Sequence, residues 1–205
     1  MSEIKNIIFD LGGVLIDWNP EYLYLKVFEG DRKKMQWFFE EICTMDWNEN
    51  QDAGYPIEQA TEERVRMFPQ YEDWIRMYYG RWEEMLGEPI AETVEILNQL
   101  LKNTDYRVAA LSNWSEETFP IALERFEFLH RFEGIVVSGS EKMRKPFHEI
   151  YQLSLDRFGF KAKETLFIDD NLRNIEGAAD MGIQTIQFRS IDDLKLNLKA
   201  KAIRL

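Results

Sequence analysis

The chain has 205 residues, of which 45% are hydrophobic and 30% are charged, and it contains 14 Phe, 8 Tyr and 6 Trp. These values are typical of a globular protein with a packed core and exclude a disordered chain, which would contain fewer aromatic residues. The formal net charge of -12 predicts that neither nucleic acid nor anionic lipid is a partner, and it also opposes the approach of a phosphorylated substrate.

The expected location is the cytoplasm. Cys43 is the single cysteine, so neither an intrachain disulfide nor a multi-cysteine metal site can form. The first residues show no basic segment followed by an apolar stretch and a cleavage site, and no run approaches the ~20 apolar residues of a membrane helix. We therefore expect no membrane partner. The chain is also expected to be a monomer or a weak homodimer.

The first predicted strand is the apolar run Ile7–Phe9, and a long segment without a convincing strand follows it. From about Asn19 to Leu86 the chain is rich in aromatic residues, Met and paired charges. Such a segment is too long for a plain crossover between parallel strands and predicts several helices. We expect a helical cap domain over residues 19–86, inserted into a core domain that residues 1–18 and 87–205 form.

Beyond residue 86, apolar runs of strand length alternate with segments of helical period. The runs are Val108–Leu111, Ile135–Val137, Leu166–Ile168 and Ile183–Ile186. The helical segments are residues 90–102, with Ile90, Val94, Leu97 and Leu101 on one face, and residues 147–158, with Phe147, Ile150, Leu153 and Phe158 on one face. Continuous apolarity indicates strands buried on both sides, so the sequence predicts an α/β fold with a doubly wound, Rossmann-like parallel sheet.

Polar residues suited to phosphate chemistry follow two of the predicted strands, the apolar runs at residues 7–9 and 108–111. Ligands of open α/β sheets bind at the carboxyl ends of the strands. Asp10 ends the first run and is followed by Gly12 and Gly13, which allow a tight turn. Its carboxylate could attack phosphorus, or it could cap a turn. Ser112 and Asn113 end the second run and could bind phosphate oxygens, or serve as ordinary turn residues.

Two further strand ends carry a cation and a pair of carboxylates. Lys145 precedes a proline that suits the first turn of the next helix, and a lysine there can neutralise charge on a transferring phosphoryl group. Arg144 beside it fits a solvated basic patch. Asp169 and Asp170 close an apolar strand, where two carboxylates are costly unless they meet donors or a cation such as Mg²⁺, although they could also begin a helix.

In this order, Asp10, Ser112, Lys145 and Asp169–Asp170 resemble the four motifs of the haloacid dehalogenase-like superfamily, and the resemblance extends over nearly the whole chain. The insertion is similar to the helical C1 cap of that family. In residues 143–146 and 167–178 the subgroup that the chain most resembles is that of the alpha-D-glucose-1-phosphate phosphatases. The resemblance implies an Mg²⁺-dependent phosphomonoester hydrolase that forms an aspartyl-phosphate on Asp10. A small phosphorylated metabolite such as a sugar phosphate would be the substrate, with glucose-1-phosphate as the first candidate.

The resemblance also implies roles for single residues. Asp10 would be the nucleophile and an Mg²⁺ ligand, joined by the backbone carbonyl of Gly12 and by Asp170, with Asp169 as a rival ligand. The residues that would bind phosphate are Ser112, Asn113 and Lys145, the last of which would also steady the nucleophile.

One position departs from the family pattern. A second Asp usually follows the nucleophile by two residues and acts as general acid and base, but here that position is Gly12. General acid–base catalysis is typically worth about 10²–10⁴-fold, so we expect slow turnover of substrates with poor leaving groups. Asp17 is a candidate substitute, or it caps the start of the insertion. The stretch Trp47–Asp52 is the candidate for substrate-facing cap residues, or a plain polar loop.

Two other functions stay open. A 2-haloacid dehalogenase would use the same Asp10 without a metal, but Asp169 and Asp170 would then be unexplained negative charge beside an anionic substrate. A binding or regulatory module without turnover would account for Gly12, but it has no physical need for a costly cluster of carboxylates.

Overall fold

The computed structural model describes residues 3–205. The strands are β1 (Asn6–Phe9), β2 (Ile16–Trp18), β3 (Leu86–Pro89), β4 (Arg107–Ser112), β5 (Ile135–Val137), β6 (Thr165–Asp169) and β7 (Gln184–Gln187). The α-helices are α1 (Glu21–Val27), α2 (Arg32–Glu41), α3 (Met45–Asp52), α4 (Ile57–Met67), α5 (Glu72–Gly80), α6 (Ala91–Lys102), α7 (Phe119–Arg125), α8 (Ser138–Glu141), α9 (His148–Phe158), α10 (Leu172–Asp180) and α11 (Ile191–Ala200).

Five of the strands form a parallel sheet in the order β5-β4-β1-β6-β7, which confirms the predicted fold class. The central strand β1 pairs with β4 and β6, so that Ile8 lies beside Ala109 on one side and Phe167 on the other. Alternate side chains of β1 enter different clusters, Ile7 and Phe9 on one face of the sheet and Ile8 on the other. Both faces are therefore buried, which explains why the strands are apolar without alternation.

The two predicted helices exist, but their buried faces are rotated from the predicted ones. The buried residues of α6 are Thr93, Ile96, Leu97 and Leu100, and those of α9 are Ile150, Tyr151, Ser154, Leu155 and Phe158. Phe147 lies outside α9 and is 54% exposed. The apolar pattern gave no weight to small polar residues, yet Thr93 and Ser154 lie fully buried on these helices, and the Ser154 hydroxyl donates to the carbonyl of Ile150 at 2.8 Å.

Helices α1 to α5 fill the predicted helical segment and pack around aromatic side chains. The ring of Tyr24 contacts those of Phe28, Phe38 and Tyr78, and its hydroxyl donates to the carbonyl of Trp74 at 2.7 Å. The division of the chain into a core domain and a cap domain stays a prediction. Within residues 3–205, no helix is long and apolar enough to span a membrane.

A short antiparallel pair, β2 with β3, brackets the helical segment and was not predicted. The strand β2 has three residues, and β3 contains Gly87 and Pro89, so neither shows the apolar run of a buried strand. The pair brings the two ends of the segment together. A side chain on Gly87 would collide with Asp17, because an added Cβ would lie 2.7 Å from Asp17 Oδ2.

Candidate active site

The carboxyl ends of β1, β4 and β6 lie side by side, and they bring the predicted polar residues together. Asp10 follows β1, Ser112 is the last residue of β4, and Asp169 is the last residue of β6. The Ser112 hydroxyl donates to Asp10 Oδ1 at 3.1 Å, and the backbone N–H of Leu11 donates to the same oxygen at 2.7 Å. Asp10 is only 7% exposed, so its carboxylate is held in a defined orientation.

Lys145 is buried between two carboxylates. Its Nζ lies 2.9 Å from Asp10 Oδ1 and 2.6 Å from Asp169 Oδ2, and it donates to the carbonyl of Leu111 at 3.1 Å. Burial lowers the pKa of Lys145, but the carboxylates of Asp10 and Asp169 outweigh this effect and raise the pKa above its usual value. Lys145 is therefore an ammonium ion at neutral pH.

The side chain of Asn113 holds the backbone of Lys145. Its Nδ2 donates to the Lys145 carbonyl at 3.0 Å, and its Oδ1 accepts from the Lys145 N–H at 2.9 Å. Asn113 thus positions Lys145, while its predicted contact with phosphate stays a prediction. Pro146 does not start the next helix as predicted, because α9 begins at His148 and the Lys145–Pro146 peptide is cis.

The two adjacent carboxylates after β6 have different surroundings. Asp169 is fully buried and accepts from Lys145, from the amide side chain of Asn174 and from the N–H of Asn171. Asp170 is exposed and lines the cleft. Asp169 is thus satisfied by protein donors and holds Lys145, while Asp170 turns to the cleft. That Asp170 is the second metal ligand stays a prediction.

The three carboxylates fit a divalent cation. One oxygen of each of Asp10, Asp169 and Asp170 lies within 4.8 Å of the others. Burial raises the pKa of Asp10, and the two neighbouring carboxylates raise it further against the effect of Lys145. Burial and Asp169 likewise raise the pKa of Asp170. One ammonium cannot balance three carboxylates, and hard oxygen donors of this kind suit Mg²⁺.

The space that a side chain at Gly12 would occupy is open in the structure. A Cβ added to Gly12 would meet nothing within 4 Å, and Gly12 lines the cleft. Asp17 does not take over this position, since its carboxylate accepts from the Tyr22 hydroxyl and it is not among the described residues that line the cleft. Asp17 does not cap α1 either, because Asn19 Oδ1 accepts from the N–H of Glu21 at 2.9 Å.

A cleft of about 340 Å³ opens over these strand ends. The face of α3 that lines it carries Met45, Asn48, Glu49 and Asp52. Part of the predicted stretch Trp47–Asp52 therefore faces the cleft, and it does so as a helix. The aromatic residues that line the cleft were not singled out by sequence reasoning, and they are Trp18, Tyr79, Trp82 and Trp114. Trp82 is buried and also lines the cleft.

Ion pairs join helix α3 to the segment before α9 and to the start of α10. Glu49 pairs with Arg144, and its other oxygen lies 3.3 Å from a guanidinium nitrogen of Arg173. The prediction that Arg144 belongs to a solvated patch is wrong, because its partner comes from a helix 95 residues away in the sequence. These ion pairs connect a helix that lines the cleft to the segment before α9 and to α10.

Replacement of Gly13 by Ala is expected to impair the metal site. Gly13 has a φ of +71°, and an added Cβ would lie 2.5 Å from Asp170 Oδ2, so the methyl group would displace that carboxylate. We expect weaker Mg²⁺ binding by isothermal titration calorimetry. The control is Gly182→Ala, where φ is +77° and a Cβ meets nothing within 4 Å, so that only the backbone cost remains. Equal Mg²⁺ affinity in both variants would contradict the role of Gly13.

Comparisons with known proteins support an enzyme of one family. The phosphorylated carbohydrates phosphatase of Thermotoga maritima is 24% identical over 208 residues, which cover 98% of this chain and 94% of that protein. An enzyme of Bacteroides thetaiotaomicron, solved in complex with magnesium and inorganic phosphate, is 25% identical, with a TM-score of 0.70 over 91% of this chain and 94% of its own.

Other relatives are matched only in part. The (S)-2-haloacid dehalogenase 4A of Burkholderia cepacia is 32% identical over 107 residues, 52% of this chain and 45% of that protein. The alignment with drimenol cyclase DrtB of Aspergillus calidoustus spans 18% of that protein. Residues 7–188 match the family model described as haloacid dehalogenase-like hydrolase. The chain therefore belongs to the haloacid dehalogenase-like hydrolase family.

Proposed function

We propose that the protein hydrolyses small phosphomonoesters in an Mg²⁺-dependent reaction that passes through an aspartyl-phosphate on Asp10. The observation that carries this proposal is the acidic cluster, in which three carboxylates lie within 4.8 Å beside a single buried lysine. A cation is needed to balance this charge when a dianionic phosphate enters.

Each residue of the cluster has a task in this reaction. The donors of residues 3–205 to the Asp10 carboxylate all bond Oδ1, which leaves Oδ2 as the oxygen free to attack phosphorus or to bind metal. Asp10, Asp170 and the carbonyl of Gly12 would hold Mg²⁺, which would offset the charge of the phosphoryl oxygens. Lys145 would bind the phosphate and, together with Mg²⁺, would oppose the rise in the pKa of Asp10 that burial causes. Ser112 would orient the Asp10 carboxylate.

A sugar phosphate is the substrate class that we propose first, with glucose-1-phosphate at the head of the screen. The cleft of about 340 Å³ is of the size that takes a small metabolite. Its wall combines aromatic side chains, Trp18 and Trp82 among them, with the polar groups of Asn48 and Glu49. Such a wall offers an apolar face to a sugar ring and hydrogen bonds to its hydroxyls. The relative that acts on phosphorylated carbohydrates is similar over nearly its whole length.

The test is phosphate release from para-nitrophenyl phosphate and from glucose-1-phosphate with Mg²⁺ and with EDTA. We expect release with Mg²⁺ and a loss of at least about 10²-fold with EDTA, because an uncompensated acidic cluster repels the substrate. The same samples are assayed for chloride release from 2-chloropropionate. Metal-independent chloride release without phosphate release would overturn the proposal in favour of a dehalogenase, and neither product would indicate a binding module.

A further inference from the structure

We propose that Asp52, at the end of α3, is the general acid and base of this reaction and takes the role that Gly12 cannot fill. The inference rests on the proposed phosphatase function and names a catalytic residue that lies far from the strand-end motifs in the sequence. It assigns chemistry, and not only closure of the cleft, to the helical segment.

The position of Asp52 fits the leaving group. Asp52 and Asp10 line the same cleft. In-line transfer places the leaving oxygen opposite the attacking one, so it points away from the end of β1 and toward the helical segment. Asp52 is held there by its backbone, whose carbonyl accepts from the Ser138 hydroxyl of α8.

The carboxylate of Asp52 is oriented by neutral donors and has no ion pair. Asn48 Nδ2 donates to Asp52 Oδ2 at 3.0 Å, and the main chain of Ser115 gives a further hydrogen bond. Among residues 3–205, no Lys or Arg nitrogen lies within 4.0 Å of this carboxylate, whereas Glu49 on the same face is paired with two arginines. Of the two acidic side chains of α3 that line the cleft, Asp52 is thus the one without an ion pair.

The proton affinity of Asp52 suits this task. Burial raises the pKa of Asp52 to about 7, and the charge of Glu49 adds to the effect. A catalytic acid works best with a pKa near the operating pH, since both forms are then populated. The titratable and charged side chains that act on it are Glu49 of α3, Tyr78 and Tyr79 of α5, and Arg144 and Lys145 of the loop before α9.

The reaction balances with this assignment. In the first step an Asp10 oxygen forms a bond to phosphorus, the bond from phosphorus to the leaving oxygen breaks, and that oxygen receives the proton of Asp52. In the second step water attacks the aspartyl-phosphate, the bond from Asp10 to phosphorus breaks, and the Asp52 carboxylate accepts the proton of the water. Inorganic phosphate leaves, and Asp52 is protonated again.

The deciding experiment is Asp52→Asn, assayed with a poor and a good leaving group. We expect kcat/KM for β-glycerophosphate to fall by about 10²–10⁴-fold, because the alkoxide must be protonated as it departs. For para-nitrophenyl phosphate kcat/KM should change less than about 10-fold, since nitrophenolate departs without a proton. With the wild-type protein, kcat/KM for β-glycerophosphate should decline above about pH 7, and the variant should lose this decline.

The matched control is Asp46→Asn, which removes one carboxylate of the same helix that is exposed and does not line the cleft. It should change kcat/KM for either substrate by less than about 3-fold, because surface substitutions away from such sites have small effects. Selective loss in Asp52→Asn alone supports the proposal, and an equal effect of Asp52→Asn on both substrates overturns it. Wild-type protein that releases phosphate from neither substrate would instead refute the phosphatase function.

Urea unfolding at pH 8 tests whether the Asp52→Asn variant is correctly folded. The folded pKa of Asp52 is raised, so its ionisation costs folding stability as pH rises from about 4 to about 7. Above that range Asn removes the cost, and we expect Asp52→Asn to be at least as stable as the wild type. A variant that is stable and yet equally active on both substrates contradicts the assignment.

Discussion

Replacement of Asp10 by Asn is expected to reduce metal-dependent phosphate release by at least about 10³-fold, to the background rate. The amide has the size of the carboxylate and can keep one acceptor for Ser112 and Leu11, but it cannot form an acyl phosphate. The loss should be seen in kcat with every substrate, good leaving groups included, because the nucleophile is needed whatever group departs. Phosphate release from para-nitrophenyl phosphate is the measurement.

The control for this variant is Asp17→Asn. Asp17 lies in β2, bonds the Tyr22 hydroxyl and is outside the cleft, so the same chemical change there should leave the rate within about 3-fold of the wild type. The phosphorylated intermediate provides a direct check. Acid-quenched wild-type protein should carry one phosphoryl group on the peptide that contains Asp10, and hydroxylamine should remove it. Full activity of Asp10→Asn, or a phosphoryl group on another residue, would refute the covalent mechanism.

The proximity of Asp10, Ser112 and Asp169 could be predicted, because it depends only on the positions of the strands. Each residue stands where an apolar run ends, and the carboxyl ends of parallel strands lie at one edge of a sheet. The order of strands then places the end of β1 between those of β4 and β6. No knowledge of loops was needed for this part of the site.

The distinction between Asp169 and Asp170 could not be predicted, because it depends on where the strand stops. Asp169 is the last residue of β6 and its side chain reaches Lys145, while Asp170 lies one residue beyond and lines the cleft. Successive side chains of a strand point in opposite directions, so a shift of one residue would exchange the two roles. The sequence alone does not fix that end to one residue.

The residues of α3 that line the cleft could not be identified from the sequence, for a different reason. The contact between Glu49 and Arg144 joins residues 95 positions apart, and it lies on the face of α3 that lines the cleft. A helical pattern defines an apolar face, but α3 has little such pattern, and the side chains that turn to the cleft include the polar residues Asn48, Glu49 and Asp52. The role of Asp52 therefore became visible only when its surroundings were known.

Replacement of Lys145 by Met is expected to lower the free energy of unfolding by about 3–5 kcal/mol, in addition to abolishing activity. The Lys145 side chain is fully buried between Asp10 and Asp169, with an N–O distance of 2.6 Å to the latter. Methionine fills a similar volume, so the decrease in the free energy of unfolding reports the removal of the charge and not the creation of a cavity. Two buried carboxylates would be left without their cation, which costs far more than the loss of an exposed ion pair.

The measurement is urea unfolding at several pH values, with Lys142→Met as the matched control, since Lys142 is exposed on the same loop. The control should change the stability by less than about 0.5 kcal/mol. Burial already raises the pKa of Asp10, and removal of Lys145 should raise it further. The deficit of Lys145→Met should therefore be smallest below about pH 8, where Asp10 holds a proton with or without Lys145, and should grow as the pH rises through about 8, because only the ionised carboxyl needs the cation. A deficit independent of pH would mean that Lys145 stabilises the fold by packing, and the balance of charge inferred for the site would be wrong.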